Sequence, residues 1–560
     1  MEALDWIVIG VFALALIGII VWVVKQKQND SADYFLGGRD ATWLAIGASI
    51  FASNIGSEHL IGLAGAGASS GMAMAHWEIQ GWMILILGWV FVPFYSRSMV
   101  YTMPEFLERR YNSQSRTILS VISLISYVLT KVAVTVYAGG LVFQQVFGIK
   151  ELWGIDFFWI AAIGLVVLTA LYTIFGGMKS VLYTSVLQTP ILLLGSLIIL
   201  VLGFKELGGW DEMMRICGAV TVNDQGNTMT ELIRSNDDPN FPWLGALIGS
   251  AIIGFWYWCT DQFIVQRVLS GKNQKEARRG TIFGAYLKLL PVFLFLIPGM
   301  IAFALHQKYI GDGGFLPLLA NGTPNADAAF PTLVAKILPA GVKGLVVCGI
   351  LAALMSSLAS LFNSSAMLFT IDFYKRFKPQ TSEKKLVVIG QIATVVIVIL
   401  GILWIPIMRS VGDVLYTYLQ DVQSVLAPGI AAAFLLGITW KKTSAQGGMW
   451  GLIAGMVIGL TRLGAKVYYS NATVTDSSLF KYLFYDLNWL FFCGWMFLFC
   501  IVVVVSLFTT PPTAEKIQGL VFGTATSEQK ATTRASWNHW DIIHTVIILA
   551  ITAAFYWYFW

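Results

Sequence analysis

The sequence predicts an all-α polytopic membrane protein with about 14 transmembrane helices. Hydrophobic residues make up 57% of the 560-residue chain and charged residues only 12%, about half of the ~25% that is usual in soluble domains. Apolar stretches long enough to cross a bilayer, about 20 residues each, recur along the chain. A soluble protein of this composition would expose too much apolar surface. The composition therefore excludes a soluble enzyme, a disordered protein and a collagen-like fibre.

Apolar stretches of spanning length follow one another from the first residues to the last. They lie near 4–24, 41–68, 73–97, 117–145, 156–176, 180–204, 242–266, 281–305, 337–372, 385–408, 413–440, 444–465, 484–508 and 541–559. Two long connections, 205–241 and 306–336, are rich in Gly, Asn, Asp and Pro and are predicted to form turns or short helices. The stretch 509–540, which contains Pro511-Pro512, is predicted to be a flexible linker.

Basic residues predict the orientation. The first span ends in Lys25-Gln-Lys27, which the positive-inside rule assigns to the cytoplasm. With an even number of spans, the loops then assigned to the inside carry far more Lys and Arg than the outside loops, and both termini lie outside. We expect a plasma-membrane protein, or an inner-membrane protein in a bacterium. The sequence has no basic run with interleaved aromatic residues, so nucleic-acid binding is not predicted. No obligate protein partner is predicted either.

Two spans are interrupted by polar residues. Residues 52–59 of the second span read Ala-Ser-Asn-Ile-Gly-Ser-Glu-His, and residues 256–262 of the seventh read Trp-Tyr-Trp-Cys-Thr-Asp-Gln. Unwound backbone at this depth is tolerated only where it is buried in protein or lines a cavity; a kinked, intact helix is the alternative for the second span. The interruptions are five spans apart, which suggests inverted repeats that bind substrate and ions at the membrane midplane.

Four ionisable residues, Glu78, Lys131, Asp261 and Lys288, lie within apolar stretches. A charge at the bilayer centre costs roughly 2.5–3.5 kcal/mol on insertion scales. We therefore expect these groups to line a polar cavity or to pair, for example Lys288 with Glu78; a purely structural ion pair is the alternative for each.

Three serines, Ser356, Ser357 and Ser360, lie about one turn apart in an apolar stretch. Hydroxyl and carbonyl oxygens suit an alkali cation. Small residues that allow close helix packing are the alternative.

Several longer strings carry a family resemblance. They are Phe51-Ala-Ser-Asn-Ile-Gly-Ser57 with His59, Gly62-Leu-Ala-Gly65, Tyr101-Thr-Met-Pro-Glu-Phe106, Ala170-Leu-Tyr-Thr173, Trp256-Tyr-Trp-Cys-Thr-Asp-Gln262, Val265-Gln-Arg267, Tyr286-Leu-Lys-Leu289, Leu354-Met-Ser-Ser-Leu358 and Leu435-Leu436 before Trp440-Lys-Lys442. In this order, over about residues 33–465 and more weakly beyond, they resemble the sodium:solute symporters, and within that family the sodium/glucose cotransporters.

The resemblance implies the five-plus-five inverted-repeat fold of the leucine transporter, with flanking helices. It divides the chain into an N-terminal extra helix and cytoplasmic loop (1–40), a first repeat (41–208), an extracellular loop (209–241), a second repeat (242–440), two additional helices (441–508), a cytoplasmic linker (509–540) and a C-terminal helix (541–560).

The resemblance also implies a function and two sets of site residues. The function is sodium-coupled symport of a neutral monosaccharide, of glucose or galactose type, by alternating access; the protein is then not an enzyme and needs no cofactor. Sugar would meet Asn54, His59, Glu78, Tyr257, Trp258, Lys288 and Gln420. One sodium would lie among the backbone carbonyls of Ala52, Ile55 and Ala353 and the hydroxyls of Ser356 and Ser357.

Departures from the family pattern concern stoichiometry and substrate. Ser185 stands where members that use a second sodium have Asp, and Thr417 replaces a usual acidic residue, so we expect one sodium per sugar. Glu78 is flanked by Trp77, Ile79 and Gln80 rather than by Phe, Trp and Asn, which leaves the particular sugar open. A myo-inositol symporter is the nearest alternative, and a transport-like membrane sensor is a more distant one. An intramembrane enzyme is disfavoured because no His pair has metal-ligand spacing.

Overall fold

A computed structural model describes residues 1–26, 30–56, 58–319, 321–409, 415–471, 478–498 and 501–560, without side-chain placement at 129–130, 407–409, 415–419, 421, 467, 470–471 and 498. Within these residues the secondary structure is almost entirely helical, and the one β-hairpin pairs Glu151–Leu152 with Ile155–Asp156 in antiparallel fashion. An all-helical membrane fold follows from the lipid environment, because a helix satisfies its backbone polar groups within one segment.

The described chain contains twelve α-helices up to residue 218. They are α1 (Ala3–Val24), α2 (Ser31–Leu36), α3 (Trp43–Asn54), α4 (Ala64–Ser70), α5 (Ala75–Glu78), α6 (Gly81–Ile86), α7 (Val92–Ser98), α8 (Met103–Arg110), α9 (Ser113–Ser126), α10 (Ala133–Phe147), α11 (Phe157–Leu207) and α12 (Trp210–Gly218).

The rest of the described chain adds sixteen. They are α13 (Trp243–Phe255), α14 (Gln262–Leu269), α15 (Gln274–Lys288), α16 (Ile297–Lys308), α17 (Ala329–Ile337), α18 (Val342–Met367), α19 (Lys375–Phe377), α20 (Glu383–Arg409), α21 (Leu415–Thr439), α22 (Ala445–Asn471), α23 (Leu479–Lys481), α24 (Trp489–Leu498), α25 (Ile501–Phe508), α26 (Ala514–Ile517), α27 (Ser527–Ala535) and α28 (His539–Tyr558). Short π-helical segments continue several of them, at Glu58–Leu63, Leu87–Phe91, Tyr127–Val132, Trp256–Thr260, Val292–Leu296, Leu368–Tyr374 and Tyr482–Asp486.

Eleven helical segments of the described chain are long and apolar enough to cross a membrane. One of them, α11, has 51 residues, or about 77 Å at 1.5 Å per residue, more than twice the ~30 Å of a bilayer core. It changes direction at Gly177 (φ 53°, ψ −146°), where a side chain would collide with the Tyr34 carbonyl oxygen. The chain is therefore a multi-pass membrane protein, while the count of fourteen spans stays a prediction.

Both predicted interruptions are present. Helix α3 ends at Asn54, Ile55 is extended (φ −78°, ψ 104°), and helix resumes at Glu58. The second break is at Asp261 (φ −75°, ψ 126°), whose side chain accepts from the Phe263 N–H and so caps α14. The expectation of unwound backbone is thereby confirmed over an intact kinked helix, whereas the inverted relation of the two halves stays a prediction.

The predicted flexible linker 509–540 is instead packed against the helices. It forms α26 and α27, and Lys516 Nζ donates to the Glu108 carbonyl oxygen at 3.0 Å. The Phe522 N–H donates to the Ile438 carbonyl at 2.8 Å, and Arg97 Nη2 donates to Thr533 Oγ1 at 2.9 Å. Its Pro, Ser and Thr content predicted flexibility, but these backbone and hydroxyl groups find partners on neighbouring helices.

Candidate functional site

One pocket lies beside the break after α3. All seven residues predicted to meet the substrate line it, and six others join them: Glu58, Trp77, Gln80, Ile253, Gly254 and Gln423. The seven come from four regions far apart in the sequence, so folding brings them together. Their roles in binding stay predictions.

A buried charged network forms one wall of the pocket. Lys288 Nζ, at the end of α15, donates to Glu78 Oε2 at 2.5 Å, and the two side chains are only 4% and 1% exposed. The same carboxylate oxygen lies 3.2 Å from His59 Nε2. The expectation that Glu78 is an acceptor for Lys288 is confirmed. Pairing lowers the free energy of holding both charges away from water.

Asn54 connects this network to the second break. As the last residue of α3, it accepts from Lys288 Nζ through Oδ1 (3.2 Å) and donates through Nδ2 to the Tyr257 hydroxyl (3.2 Å). Lys288 Nζ also lies 5.4 Å from the ring centre of Trp258, within cation–π range. Side chains from both broken helices thus meet one ammonium group.

Two polar atoms that line the pocket have no hydrogen-bond partner within the described part of the chain. They are the donor Trp77 Nε1 and the acceptor Gln420 Oε1, both buried. Leaving such groups unpaired costs about 1–3 kcal/mol each. A bound molecule that can both donate and accept would remove that penalty.

A second cluster of oxygens joins α3 to α18. Ser357 Oγ lies within hydrogen-bond distance of two backbone carbonyl oxygens, those of Ser53 (3.0 Å) and Ile55 (3.2 Å), and its one O–H can donate to either. Ala52 and Ala353 are buried on the same two helices, about one turn from Ile55 and Ser357. Neutral, hard oxygens of this kind suit sodium, and because a hydroxyl can rotate, Ser357 can turn its lone pairs toward an ion.

Ser356 faces a different helix. Its Oγ lies 3.4 Å from Ser185 Oγ, and Ser185 donates to the Val181 carbonyl at 2.6 Å. Ser360 lies 2.7 Å from Ser53, oxygen to oxygen, so this third serine joins the helices as the packing alternative supposes. The Thr417 side chain lies outside the described residues.

The other two ionisable residues at depth form a separate pair. Lys131 Nζ donates to Asp261 Oδ2 at 2.6 Å, and Tyr127 donates to the other carboxylate oxygen. The ammonium also lies 4.9 Å from the ring centres of both Tyr257 and Phe263. Neither Lys131 nor Asp261 lines the pocket, but the two pair with each other, as the sequence predicts for charges at this depth.

Glu58, Gln80 and Gln423 were not among the predicted site residues. Helical spacing could have indicated Gln423, which follows Gln420 by three residues and so shares its helix face. Gln80 lies two residues after Glu78, and its Nε2 donates to the Ser250 carbonyl at 2.9 Å. Glu58 lies in the polar interruption, next to His59. Its residue type alone did not indicate that its side chain would line the pocket.

Comparison with known proteins agrees with this architecture. The chain is 36% identical over 542 residues to the human sodium/myo-inositol cotransporter 2, covering 94% of this chain and 79% of the relative. It is 37% identical over 524 residues to the dog sodium/myo-inositol cotransporter (89% and 72%), and 35% identical over 551 residues to a zebrafish sodium/glucose cotransporter 4 (95% and 82%).

A solved structure shares the fold. The substrate-bound, outward-open state of a Na⁺-coupled sialic acid symporter superposes with a TM-score of 0.73 at 22% identity, covering 91% of this chain and 99% of that one. The sequence profile of the sodium:solute symporter family matches residues 34–455. The chain therefore belongs to the sodium:solute symporter family, and it is a sodium-coupled transporter of solutes rather than an enzyme.

Proposed function

We propose that the protein imports a neutral monosaccharide, of glucose or galactose type, together with sodium by alternating access. The observation that carries this proposal is the pairing inside the pocket. The charges of Glu78 and Lys288 cancel across 2.5 Å, while Trp77 Nε1 and Gln420 Oε1 are buried without partners in the described chain. A sugar hydroxyl both donates and accepts, so one polyol can satisfy both atoms without adding charge.

Six of the seven predicted residues, all but His59, can be sorted into hydrogen-bond acceptors, hydrogen-bond donors and ring faces. Glu78 accepts, Lys288 donates, and Asn54 and Gln420 do both. Tyr257 and Trp258 offer ring faces beside them. A site built from hydrogen bonds to hydroxyls rejects analogues that lack one far better than an apolar slot does.

Sodium would be held by the carbonyls of Ala52, Ile55 and Ala353 and the hydroxyls of Ser356 and Ser357. These ligands lie on α3, at its break, and on α18. An ion bound between two helices stabilises the arrangement in which both sets of ligands are in place, and a ligand shifts an equilibrium only by such differential binding.

One sodium per sugar is proposed, because Ser185 contributes a hydroxyl rather than a carboxylate at its contact with Ser356.

The same proposal places both termini outside the plasma membrane, or outside the inner membrane of a bacterium.

Myo-inositol is the second candidate substrate. The relatives at 36–37% identity include several named sodium/myo-inositol cotransporters, and a cyclitol offers the same neutral hydroxyls as a hexose. We also propose the five-plus-five inverted repeat, the division of the chain into seven segments and transport without a cofactor.

A substrate panel tests the proposal. Purified protein in liposomes would be given labelled D-glucose, D-galactose, myo-inositol and, as an anionic probe, sialic acid, with sodium, lithium or potassium outside. We expect sodium-stimulated uptake of one or more neutral compounds and none of the anion. Uptake of sialic acid alone would overturn the neutral pocket, and binding without uptake would favour a sensor.

A further inference from the structure

Glu58 lies between the cation ligands and the substrate pocket. It is the first residue of helix after the break, and it lines the pocket with Lys288 and Tyr257. A methyl group placed on Gly56 would lie 2.6 Å from Glu58 Oε2 and 2.9 Å from Ser357 Oγ. The carboxylate and the hydroxyl therefore flank the same glycine, on the side of the break where Ser357 meets the Ile55 carbonyl.

The proposed sodium ligands are all neutral, three carbonyls and two hydroxyls. Neutral oxygens replace the hydration shell of an ion but do not balance its charge. In a water-poor site a carboxylate a few ångströms away attracts a cation strongly, because the Coulomb energy grows as the effective dielectric constant falls.

We propose that Glu58 is a positioning residue for sodium: its carboxylate supplies the negative charge that holds the ion against Ser357 and Ile55, from the pocket side of the break. This inference rests on the proposed sodium site. A purely structural role is the alternative, since an acidic residue at the start of a helical segment stabilises it through the helix dipole.

Equilibrium binding of ²²Na⁺ to the purified full-length protein tests the inference. Glu58→Gln keeps the size of the side chain and removes its charge, and we expect it to weaken ²²Na⁺ binding at least tenfold. Glu58→Asp keeps the charge and should stay within about threefold of the parent. Glu212→Gln, which removes a carboxylate paired with Arg215 outside the site, is the matched control and should change nothing.

Three further comparisons separate the possible outcomes. Ser357→Ala should abolish ²²Na⁺ binding; if it does so while Glu58→Gln binds like the parent, the inference is wrong and the sodium site stands. If Ser357→Ala also binds like the parent, the proposed sodium site itself fails. In Glu58→Gln/Ser185→Asp, part of the lost affinity regained with one ²²Na⁺ bound per protein would support the charge-based role, whereas no gain over Glu58→Gln would count against it.

A substrate readout distinguishes sodium positioning from direct substrate binding. At saturating sodium, myo-inositol or galactose, whichever the panel shows to bind, should lose no more than about threefold in affinity for Glu58→Gln, because Glu58 lines the pocket but is not one of the seven proposed substrate ligands. A larger loss of substrate affinity that excess sodium does not reverse would overturn the inference. If Glu58→Gln does not fold, Glu58→Asp still tests the inference. Loss of ²²Na⁺ binding in Glu58→Asp, which keeps the negative charge, would count against a charge-based role.

Discussion

Removing Lys288 should destabilise the protein far more than removing Lys288 and the charge of Glu78 together. The two groups are almost completely buried and 2.5 Å apart, which corresponds to a gross attraction of about 6–7 kcal/mol at an effective dielectric constant of 20. Desolvation offsets much of it, and loss of one partner from a buried pair costs about 3–5 kcal/mol. His59, 3.2 Å from the carboxylate, remains as a partner, so we expect the lower end, about 3 kcal/mol, for Lys288→Met.

The double variant Lys288→Met/Glu78→Gln leaves no uncompensated charge. We therefore expect its stability to lie within about 1 kcal/mol of the parent, since replacing a buried ion pair by neutral groups is often nearly neutral. Thermal unfolding in detergent, followed by tryptophan fluorescence, would rank the parent, Lys288→Met, Glu78→Gln and the double variant. Lys272→Met is a suitable control, because that lysine is 65% exposed and lies 3.9 Å from Asp40. Additive losses in the double variant would refute the reasoning.

Three other outcomes are expected. Gln420→Ala should weaken substrate binding by about 1–3 kcal/mol, measured by calorimetry at saturating sodium; an unchanged affinity would remove Gln420 from the site. Ser357→Ala should abolish sodium-stimulated uptake in a protein that still folds, and normal sodium dependence would show that the ion lies elsewhere. One sodium per substrate, driven by ~100 mV (about 2.3 kcal/mol per charge) and a tenfold gradient (about 1.4 kcal/mol), limits accumulation to roughly 500-fold; reversal potentials with a slope for two charges would contradict this stoichiometry.

The sequence is most informative at positions where a polar or charged side chain costs free energy inside the membrane. Glu78 and Lys288 could be expected to pair because a lone charge at depth is costly, and the structure confirms the pair. The breaks at Ile55 and Asp261 were visible because polar residues interrupt apolar sequence. The seven pocket residues came from the family resemblance, and the structure places all seven around one pocket.

Other features depend on packing that the sequence does not display. The predicted spans 156–176 and 180–204 are separated at Gly177, where the structure changes direction, but hydropathy alone does not show that they join as the one bent helix α11. The stretch 509–540 has the composition of a linker, yet its polar groups bond to helices more than a hundred residues away in several cases. The position of Glu58 beside the proposed sodium ligands depends on folding, which brings Gly56 and Ser357 to the same side of the break.

We propose that a sodium gradient drives a neutral polyol across the membrane. Accumulation of the labelled substrate in sealed proteoliposomes, with sodium outside and none inside, tests this coupling. The internal concentration should rise above the external one, and it should return to equality when an ionophore abolishes the sodium gradient. Uptake that stops at equal concentrations, or that is the same with potassium in place of sodium, would contradict it.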